Sequence, residues 1–188
     1  MKCVLVGHPG SQSIVPASKY LTEKYLPSFD VEYLNYEGDI KGWSDFVGSH
    51  IEQINDEFII FALDDYLLSS PLSPSFDFAL QHFNDPDVAC VKLCPNTPEE
   101  HEEYPVTTQY TIWRKDSLVW LLKQTTDPWN FEMGGSPILK GSGKRSVLFP
   151  CLSYPTHSAL SSRWSGVRLD GVNPIDIEYL ATNNLLNV

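Results

Sequence analysis

The sequence is poor in positive charge. Of its 188 residues only 13 are lysine or arginine, against 24 aspartates and glutamates, which gives a formal net charge of −11 and an isoelectric point near 4.7. Nucleic-acid backbones and anionic membrane surfaces repel such a chain. Non-specific nucleic-acid binding is therefore excluded, and a phosphate ligand would need a few local basic groups, a helix N-terminus or a metal ion.

Paired cysteines, long apolar runs and targeting features are also missing. The four cysteines, at positions 3, 90, 94 and 151, form no Cys-x-x-Cys pair, and the first three lie in apolar runs where free cysteine behaves as a small hydrophobe. No apolar run approaches the roughly 18 residues of a membrane span, and the opening MKCVLVG has neither a basic leader nor a cleavage site. We therefore expect a cytoplasmic protein with reduced thiols and no transmembrane segment.

Several common catalytic signatures do not occur. The sequence contains no GxxxxGK[ST] loop, no GxGxxG turn after the first apolar run, no GxSxG elbow and no HExxH helix. The segment GSGKRS at 141–146 has the composition of a phosphate-binding loop, but its spacing is wrong and no helical pattern follows it. These absences disfavour P-loop ATPases, Rossmann dehydrogenases, serine hydrolases and zinc proteases.

What is present is an alternation of apolar strands with amphipathic helices. The strongest strand is FIIFAL at 58–63, whose consecutive apolar residues fit a central parallel strand covered on both faces. The alternation predicts an α/β fold, one Rossmann-like domain over residues 1–188 with a mainly parallel mixed sheet and helices on both faces. The expected strands are 3–7, 31–36, 58–63, 88–94, 106–113 and 146–150, and the expected helices are 13–25, 44–54, 75–83, 116–124 and a short one after Asp127 that ends at Gly134-Gly135.

Two polar clusters follow predicted strands, at the place where α/β sheets bind ligands. Gly7-His8-Pro9-Gly10 follows the first strand, and Asp64-Asp65-Tyr66 follows 58–63. Adjacent carboxylates repel each other unless a positive group lies beside them, and Mg²⁺ or Mn²⁺ is a natural partner for such oxygens. The structural alternative for the two aspartates is an Asx turn or a helix cap.

Glu132, His157 and the few basic residues are further candidates. Glu132 lies among aromatic residues in DPWNFE, and such neighbours can desolvate a carboxylate and make it a better general base. His157 is a candidate metal ligand or phosphate contact. The structural alternatives are a solvated helix residue for Glu132 and a packed surface residue for His157. Basic groups that could hold a diphosphate are Arg114-Lys115, Lys140, Lys144-Arg145, Arg163 and Arg168, with ordinary surface charge as the alternative.

Three segments, in order, carry a resemblance to a known family. They are LDDYLLSSP at 63–71, TTQYTIWRKDSLVWLL at 107–122 and DPWNFEMGGS at 127–136. Together they resemble bacterial and phage-borne glycosyltransferases with the A-type, nucleotide-sugar-binding fold, which show a DDY motif and a PW-x-FE motif. The resemblance extends over roughly residues 40–165.

The resemblance implies a metal-dependent transfer of a sugar, with inversion, from a nucleoside-diphosphate sugar to a glycan or lipid-linked sugar acceptor. It implies that Asp65 binds Mn²⁺ or Mg²⁺, with Asp64 orienting the metal or a ribose hydroxyl, and that His157 completes the metal shell. It implies that Glu132 deprotonates the acceptor and that the loop of Gly7, His8 and Pro9 binds the nucleotide. The usual Asp-x-Asp is replaced here by Leu63-Asp64-Asp65, which leaves one candidate ligand fewer.

The chemistry of the side chains leaves other possibilities open. Tyr66, Trp113 and Trp129 offer flat apolar faces for sugar stacking, and core packing is the alternative, more so for Trp113. A second hypothesis is a non-catalytic sugar- or nucleotide-binding module with a degenerate site. A third, a nucleotidyltransferase, is disfavoured because residues 7–11 contain no lysine or arginine.

Overall fold

An alternation of strands and helices runs through the computed structural model, which describes residues 1–8, 10–94, 96–153, 159, 167, 169 and 171–186. The elements are β1 (Lys2–Val6), α1 (Val15–Tyr25), β2 (Asp30–Leu34), α2 (Trp43–Glu52), β3 (Phe58–Leu63), α3 (Phe76–Gln81), β4 (Val88–Lys92), α4 (Pro98–Glu103), β5 (Thr111–Arg114), α5 (Lys115–Leu122), α6 (Pro128–Met133), α7 (Gly135–Gly141), β6 (Arg145–Leu148) and α8 (Pro174–Thr182).

The described strands form one six-stranded sheet in the order β2-β1-β3-β5-β4-β6. β1 pairs in parallel with β2 and β3, and β4 pairs in parallel with β6. β5 runs antiparallel to both of its neighbours, β3 and β4. The predicted mixed, mainly parallel sheet is confirmed, and β3 lies in its interior as the sequence indicated.

Each face of the sheet carries its own apolar core. Alternate residues of a strand point to opposite faces. Ile60 of β3 accordingly belongs to the core that α1, α3 and α8 cover, whereas Phe61 belongs to the core that α2, α5, α6 and α7 cover. Both residues are fully buried. This burial on two sides explains why β3 is apolar throughout, and it confirms the prediction of helices on both faces.

The sequence overestimated the length of the strand before Arg114. Alternation predicted a strand over 106–113, but β5 covers only Thr111–Arg114. The residues before it are held partly by side chains: Val106 N donates to Ser136 Oγ at 3.2 Å, and Thr108 N donates to Glu132 Oε1 at 2.6 Å. These anchors replace a continuous ladder with a neighbouring strand. We call residues 104–108 the tethered segment.

Within the described residues, three α-helices lie where the sequence predicts none. They are α4 in the acidic loop, α8 in the tail, and α7, which begins directly after the glycine expected to end α6. Gly134 takes helical angles, φ −78° and ψ −39°, and joins α6 to α7 without a break. α4 starts with a reciprocal capping box, in which Thr97 Oγ1 accepts from Glu100 N at 3.2 Å and Glu100 Oε2 accepts from Thr97 N at 2.9 Å.

Arg114 has a structural role instead of the phosphate contact that its charge suggested. Its Nε donates to Val88 O at 3.0 Å, and its Nη2 donates to the carbonyls of Phe83 and, at 3.3 Å, Asp85. The guanidinium also lies over the rings of Phe58 and Phe83, 5.4 and 5.3 Å from their centroids. It therefore fixes the turn that leads into β4.

Arg114→Met is expected to lower the free energy of unfolding by about 2 kcal/mol, because methionine keeps the apolar stem but loses several hydrogen bonds from a charged donor. Arg145→Met is the control, since Arg145 makes an exposed ion pair with Asp85 at 2.6 Å and such pairs contribute roughly 0–1 kcal/mol. Urea denaturation of both variants measures the difference. Equal losses in the two variants would contradict this role for Arg114.

Candidate active site

The ends of two neighbouring parallel strands bring the two polar clusters together. β1 and β3 pair so that Val6 is opposite Leu63, and Asp64 N donates to Val6 O at 3.1 Å. Gly7 continues β1 toward β2 with a hydrogen bond from its N to Leu34 O at 2.7 Å. Gly7, His8, Asp64 and Asp65 therefore lie at the same carboxyl edge of the sheet.

Asp64 is a fully buried carboxylate at this edge. The Tyr33 hydroxyl donates to its Oδ2, while no described residue forms a hydrogen bond with its Oδ1. Burial raises the pKa of Asp64 from its ordinary value near 3.8 to about 6; Asp65 acts in the same direction, against the hydrogen bonds from Ser11 and Tyr33. A buried oxygen without a partner next to a second carboxylate is a place where a cation would be stabilised.

Gly7 is needed for the close approach of Tyr33 to Asp64. A Cβ on Gly7 would lie 2.8 Å from Tyr33 Oη, 3.2 Å from Ser11 Oγ and 3.3 Å from Asp64 Oδ2. Sequence reasoning did not select Tyr33 or Ser11. The available signal was weak: Tyr33 is one polar-tipped residue in an alternating strand, and Ser11 directly follows the glycine loop.

Asp65 is 4% exposed, and His8 Nε2 lies 3.7 Å from its Oδ2. The backbone carbonyl of Asp65 accepts a hydrogen bond from Ala159 N at 2.7 Å, so part of the C-terminal region contacts the acid pair. His157, the predicted metal ligand, and Pro9, the predicted nucleotide contact, lie outside the described residues. Of the two histidines predicted for the site, His8 is the one that the structure describes, and it lies beside Asp65.

Glu132 is connected to the same edge through the tethered segment. Its Oε1 accepts hydrogen bonds from Thr107 Oγ1 at 3.0 Å, Thr108 N at 2.6 Å and Thr108 Oγ1 at 2.8 Å. The carbonyl of Thr108 accepts in turn from Leu63 N at 2.8 Å, directly before the acid pair. α6, which carries Glu132, is capped at its N-terminus by Asp127, whose side chain accepts a hydrogen bond from Asn130 N at 2.8 Å.

Tyr66 directly follows the acid pair and is close enough to Asp65 and Glu132 for their charges to act on it. Burial raises its pKa well above 10, with further contributions from the charges of Glu132 and Asp65, and its hydroxyl shares a hydrogen bond with Thr108. Its ring packs against both cores of the protein. The charges of both carboxylate groups therefore act on this phenol, and Tyr66 as a whole is partly buried.

The two tryptophans predicted to stack on sugars have different surroundings. Trp113 is fully buried in the core with Phe61 and Phe131, so no face of its indole is available and the prediction of a sugar contact is wrong. Trp129 is 63% exposed, and Met133, one helical turn later, is 64% exposed. Trp129 is thus placed where a ligand could reach it.

The carboxylate oxygens of the acid pair fit a hard divalent cation whose remaining ligands come from a bound substrate. In the part of the chain that the structure describes, no three or more His, Cys, Asp and Glu side chains are grouped to hold a metal ion. Mg²⁺, however, commonly takes one or two carboxylates together with substrate phosphates, and the buried Asp64 Oδ1 has an unfilled acceptor position. Asp64 and Asp65 are the residues that would hold Mg²⁺ or Mn²⁺.

Comparison with known proteins finds solved structures of similar fold. No protein-family model and no curated protein matches the chain. A197 from STIV has a TM-score of 0.54 at 11% identity, covering 92% of this chain and 97% of its own. A cytidylyltransferase from Leptospira borgpetersenii has a TM-score of 0.53 at 10% identity, covering 100% and 97%. A glycosyltransferase involved in glycosylation of the PBCV-1 major capsid gives 0.47 at 17% identity, covering 79% and 81%. The first two share the α/β fold described above.

The structure also bears on the predictions about transmembrane segments and cysteines. Among the described residues, no helix has the length and apolar character needed to cross a membrane. All four cysteines are buried, and none of them forms a disulfide.

Proposed function

We propose that this chain is a metal-dependent glycosyltransferase that moves a sugar, with inversion, from a nucleoside-diphosphate sugar to a glycan or lipid-linked sugar acceptor. The observation that best supports this function is a chain of two hydrogen bonds. Leu63 N, directly before Asp64 and Asp65, donates to Thr108 O, and Thr108 N donates to Glu132 Oε1. These bonds join a diphosphate-binding group and a base at one edge of the sheet. The four cysteines are buried and form no disulfide, which supports a cytoplasmic setting.

Each part of the reaction has a residue in this arrangement. Asp64 and Asp65 hold a divalent cation, which when bound supplies Lewis-acid stabilisation of the departing diphosphate. Glu132 Oε1 is fixed by donors from Thr107 and Thr108, and no described residue donates to Oε2. Oε2 accepts the proton of the acceptor hydroxyl as that oxygen attacks the anomeric carbon and the nucleoside diphosphate leaves from the opposite face.

Other residues position the two substrates. The Gly7–Gly10 loop receives the nucleotide, with His8 beside Asp65 and His157 as a further ligand of the cation. Trp129, three residues before Glu132, offers an exposed indole for stacking on the acceptor sugar. Tyr66, which directly follows Asp65, contacts the sugar beside the acid pair. An acidic protein needs the cation at this edge, because its own charge repels a diphosphate.

Nucleotidyl transfer is the second candidate function. It is favoured by the fold shared with the cytidylyltransferase, since the match covers 100% of this chain and 97% of the cytidylyltransferase. It is weakened by the first loop, because residues 7–11 offer no lysine or arginine to neutralise a departing pyrophosphate.

A nucleotide panel separates these functions. Thermal shift and calorimetry with UDP, GDP, dTDP and CTP, in Mn²⁺ or in EDTA, identify the nucleotide that binds. The protein is then incubated with the sugar conjugate or the triphosphate of that nucleotide, and the products are analysed. Release of nucleoside diphosphate supports glycosyl transfer, release of pyrophosphate supports nucleotidyl transfer, and binding without either product supports a binding module.

Asp65→Ala is expected to abolish the Mn²⁺-dependent part of nucleotide binding while the fold remains intact, because it removes one of two carboxylates that hold the cation. Asp56→Ala is the matched control, since Asp56 precedes the opposite end of β3 and is partly exposed beside the N-terminal amine. Calorimetry that gives equal affinities with Mn²⁺ and with chelator for the parent protein would contradict the metal assignment.

A further inference from the structure

A buried lysine lies at the carboxyl end of β4. Lys92 is 1% exposed, which is rare for lysine because the ammonium loses its hydration. Burial lowers its pKa below the ordinary 10.5, while Cys94, Cys90 and the carboxylates of Glu132 and Glu100 act in the opposite direction. An apolar side chain would be less costly at this position. The ammonium is therefore explained by what it contacts.

The contact of Lys92 is with the start of the tethered segment. Its Nζ donates to the carbonyl of Tyr104 at 2.8 Å. In the sheet Lys92 is opposite Thr111, which is opposite Phe61, so all three stand in one row that points toward the helix layer of α6. The lysine thus reaches the tethered segment from the same side as Glu132.

The other end of the tethered segment carries the donors to Glu132. Thr107 and Thr108 make all the hydrogen bonds to Oε1 described above, and Thr108 is also bonded to Leu63 beside the acid pair. Two charged side chains from different elements, Lys92 and Glu132, therefore hold a segment of five residues at its two ends.

We propose that Lys92 is a positioning residue for Glu132. By holding the carbonyl of Tyr104 it fixes the tethered segment, and that segment sets the distance and direction of the carboxylate relative to Asp64 and Asp65. The inference rests on the proposed function for the role of Glu132 as base, but the tether itself is independent of any activity.

Lys92→Met tests the tether in the protein alone, since methionine has a similar shape without the ammonium. Hydrogen exchange at the Thr108 amide is expected to rise about 10- to 100-fold, the size of a lost hydrogen bond from a charged donor, with the Ile60 amide unchanged. Lys115→Met is the matched control, because Lys115 Nζ also donates to a carbonyl, that of Ile54 at 2.9 Å, at the other edge of the sheet. If Lys92→Met does not fold, Lys92→Gln replaces it.

A kinetic measurement tests the consequence for catalysis. The probe is hydrolysis of UDP-glucose, UDP-N-acetylglucosamine, GDP-mannose or dTDP-glucose in Mn²⁺, with water as the acceptor. Lys92→Met is expected to lower kcat at least 10-fold and leave the KM for the nucleotide sugar unchanged, because the base is displaced and the donor site is not. A purely structural lysine would not separate the two constants.

The outcomes are distinguishable. An unchanged exchange rate at Thr108, or a fall in kcat matched by the Lys115→Met control, overturns the positioning role. If the parent protein hydrolyses none of the four nucleotide sugars, the proposed function fails. The exchange rate of the Thr108 amide still shows whether Lys92 holds the tethered segment.

Discussion

Glu132→Gln is expected to lower the rate of sugar transfer about 10²–10⁴-fold, the usual size of a general-base contribution. The amide oxygen can still accept the hydrogen bonds from Thr107 and Thr108, so the tethered segment stays in position. The amide nitrogen that replaces Oε2 cannot accept a proton from the acceptor. Initial rates and calorimetric dissociation constants with Mn²⁺ measure the two effects, and the donor affinity is expected to stay the same.

Glu99→Gln is the control for this variant, because Glu99 is an exposed acid in the first turn of α4. A parent-like rate for Glu132→Gln would mean that the carboxylate only anchors Thr108. The protein would then be better described as a binding module that uses the same edge of the sheet.

Asp64→Asn is expected to stabilise the metal-free protein at neutral pH by roughly 2–3 kcal/mol. The folded-state pKa of Asp64, about 6, is higher than its ordinary value near 3.8, so the folded protein binds the proton more tightly than the unfolded chain. Stability of the parent in EDTA therefore falls as pH rises from about 4 to 6 and stays lower above that range. Asparagine has no charge to bury and keeps an oxygen for the Tyr33 hydroxyl.

The measurement is urea denaturation in EDTA at pH 4.5 and pH 7.5. The difference in the free energy of unfolding between variant and parent should be small at pH 4.5 and close to its full size at pH 7.5. The same variant should lose Mn²⁺-dependent nucleotide binding at pH 7.5. A variant that is no more stable than the parent at pH 7.5 would mean that Asp64 has a counter-charge in the protein.

The sequence was sufficient for the central part of the fold because one physical signal dominated there. Phe58–Leu63 is apolar at every position, which only a strand buried on both faces requires, and the acids that end it had to leave the sheet at its carboxyl edge. The alternation of residues 106–113 was misleading, because Val106, Thr107 and Thr108 are all buried, and side-chain anchors hold this irregular segment in place. The capping box of α4 was readable as Thr97-x-x-Glu100 and was overlooked among the surrounding acids.

The sequence selected the acids, the first loop and Tyr66 of the candidate site, but not the residues that hold Asp64 in place. Asp64, Asp65 and Glu132 stood out by chemistry, whereas Tyr33 and Ser11 act through distances that follow from strand pairing. Trp113 illustrates the limit of residue type as a guide: one indole is core and the other, Trp129, is exposed, and only the packing of α6 on the sheet distinguishes them. Lys92 could not be recognised, because its burial depends on the path of residues 104–108.

The position of β5 has a consequence for how the chain folds during synthesis. β5 lies between β3 and β4 but follows both in the sequence, so β4 has no partner strand until residues 111–114 have left the ribosome. The half-sheet β2-β1-β3, with the acid pair, can form earlier from nearby strands, and the half that carries Glu132 is added last. Until then the apolar edge of β3 is open to other chains, so a nascent chain paused before residue 111 is the species most exposed to aggregation.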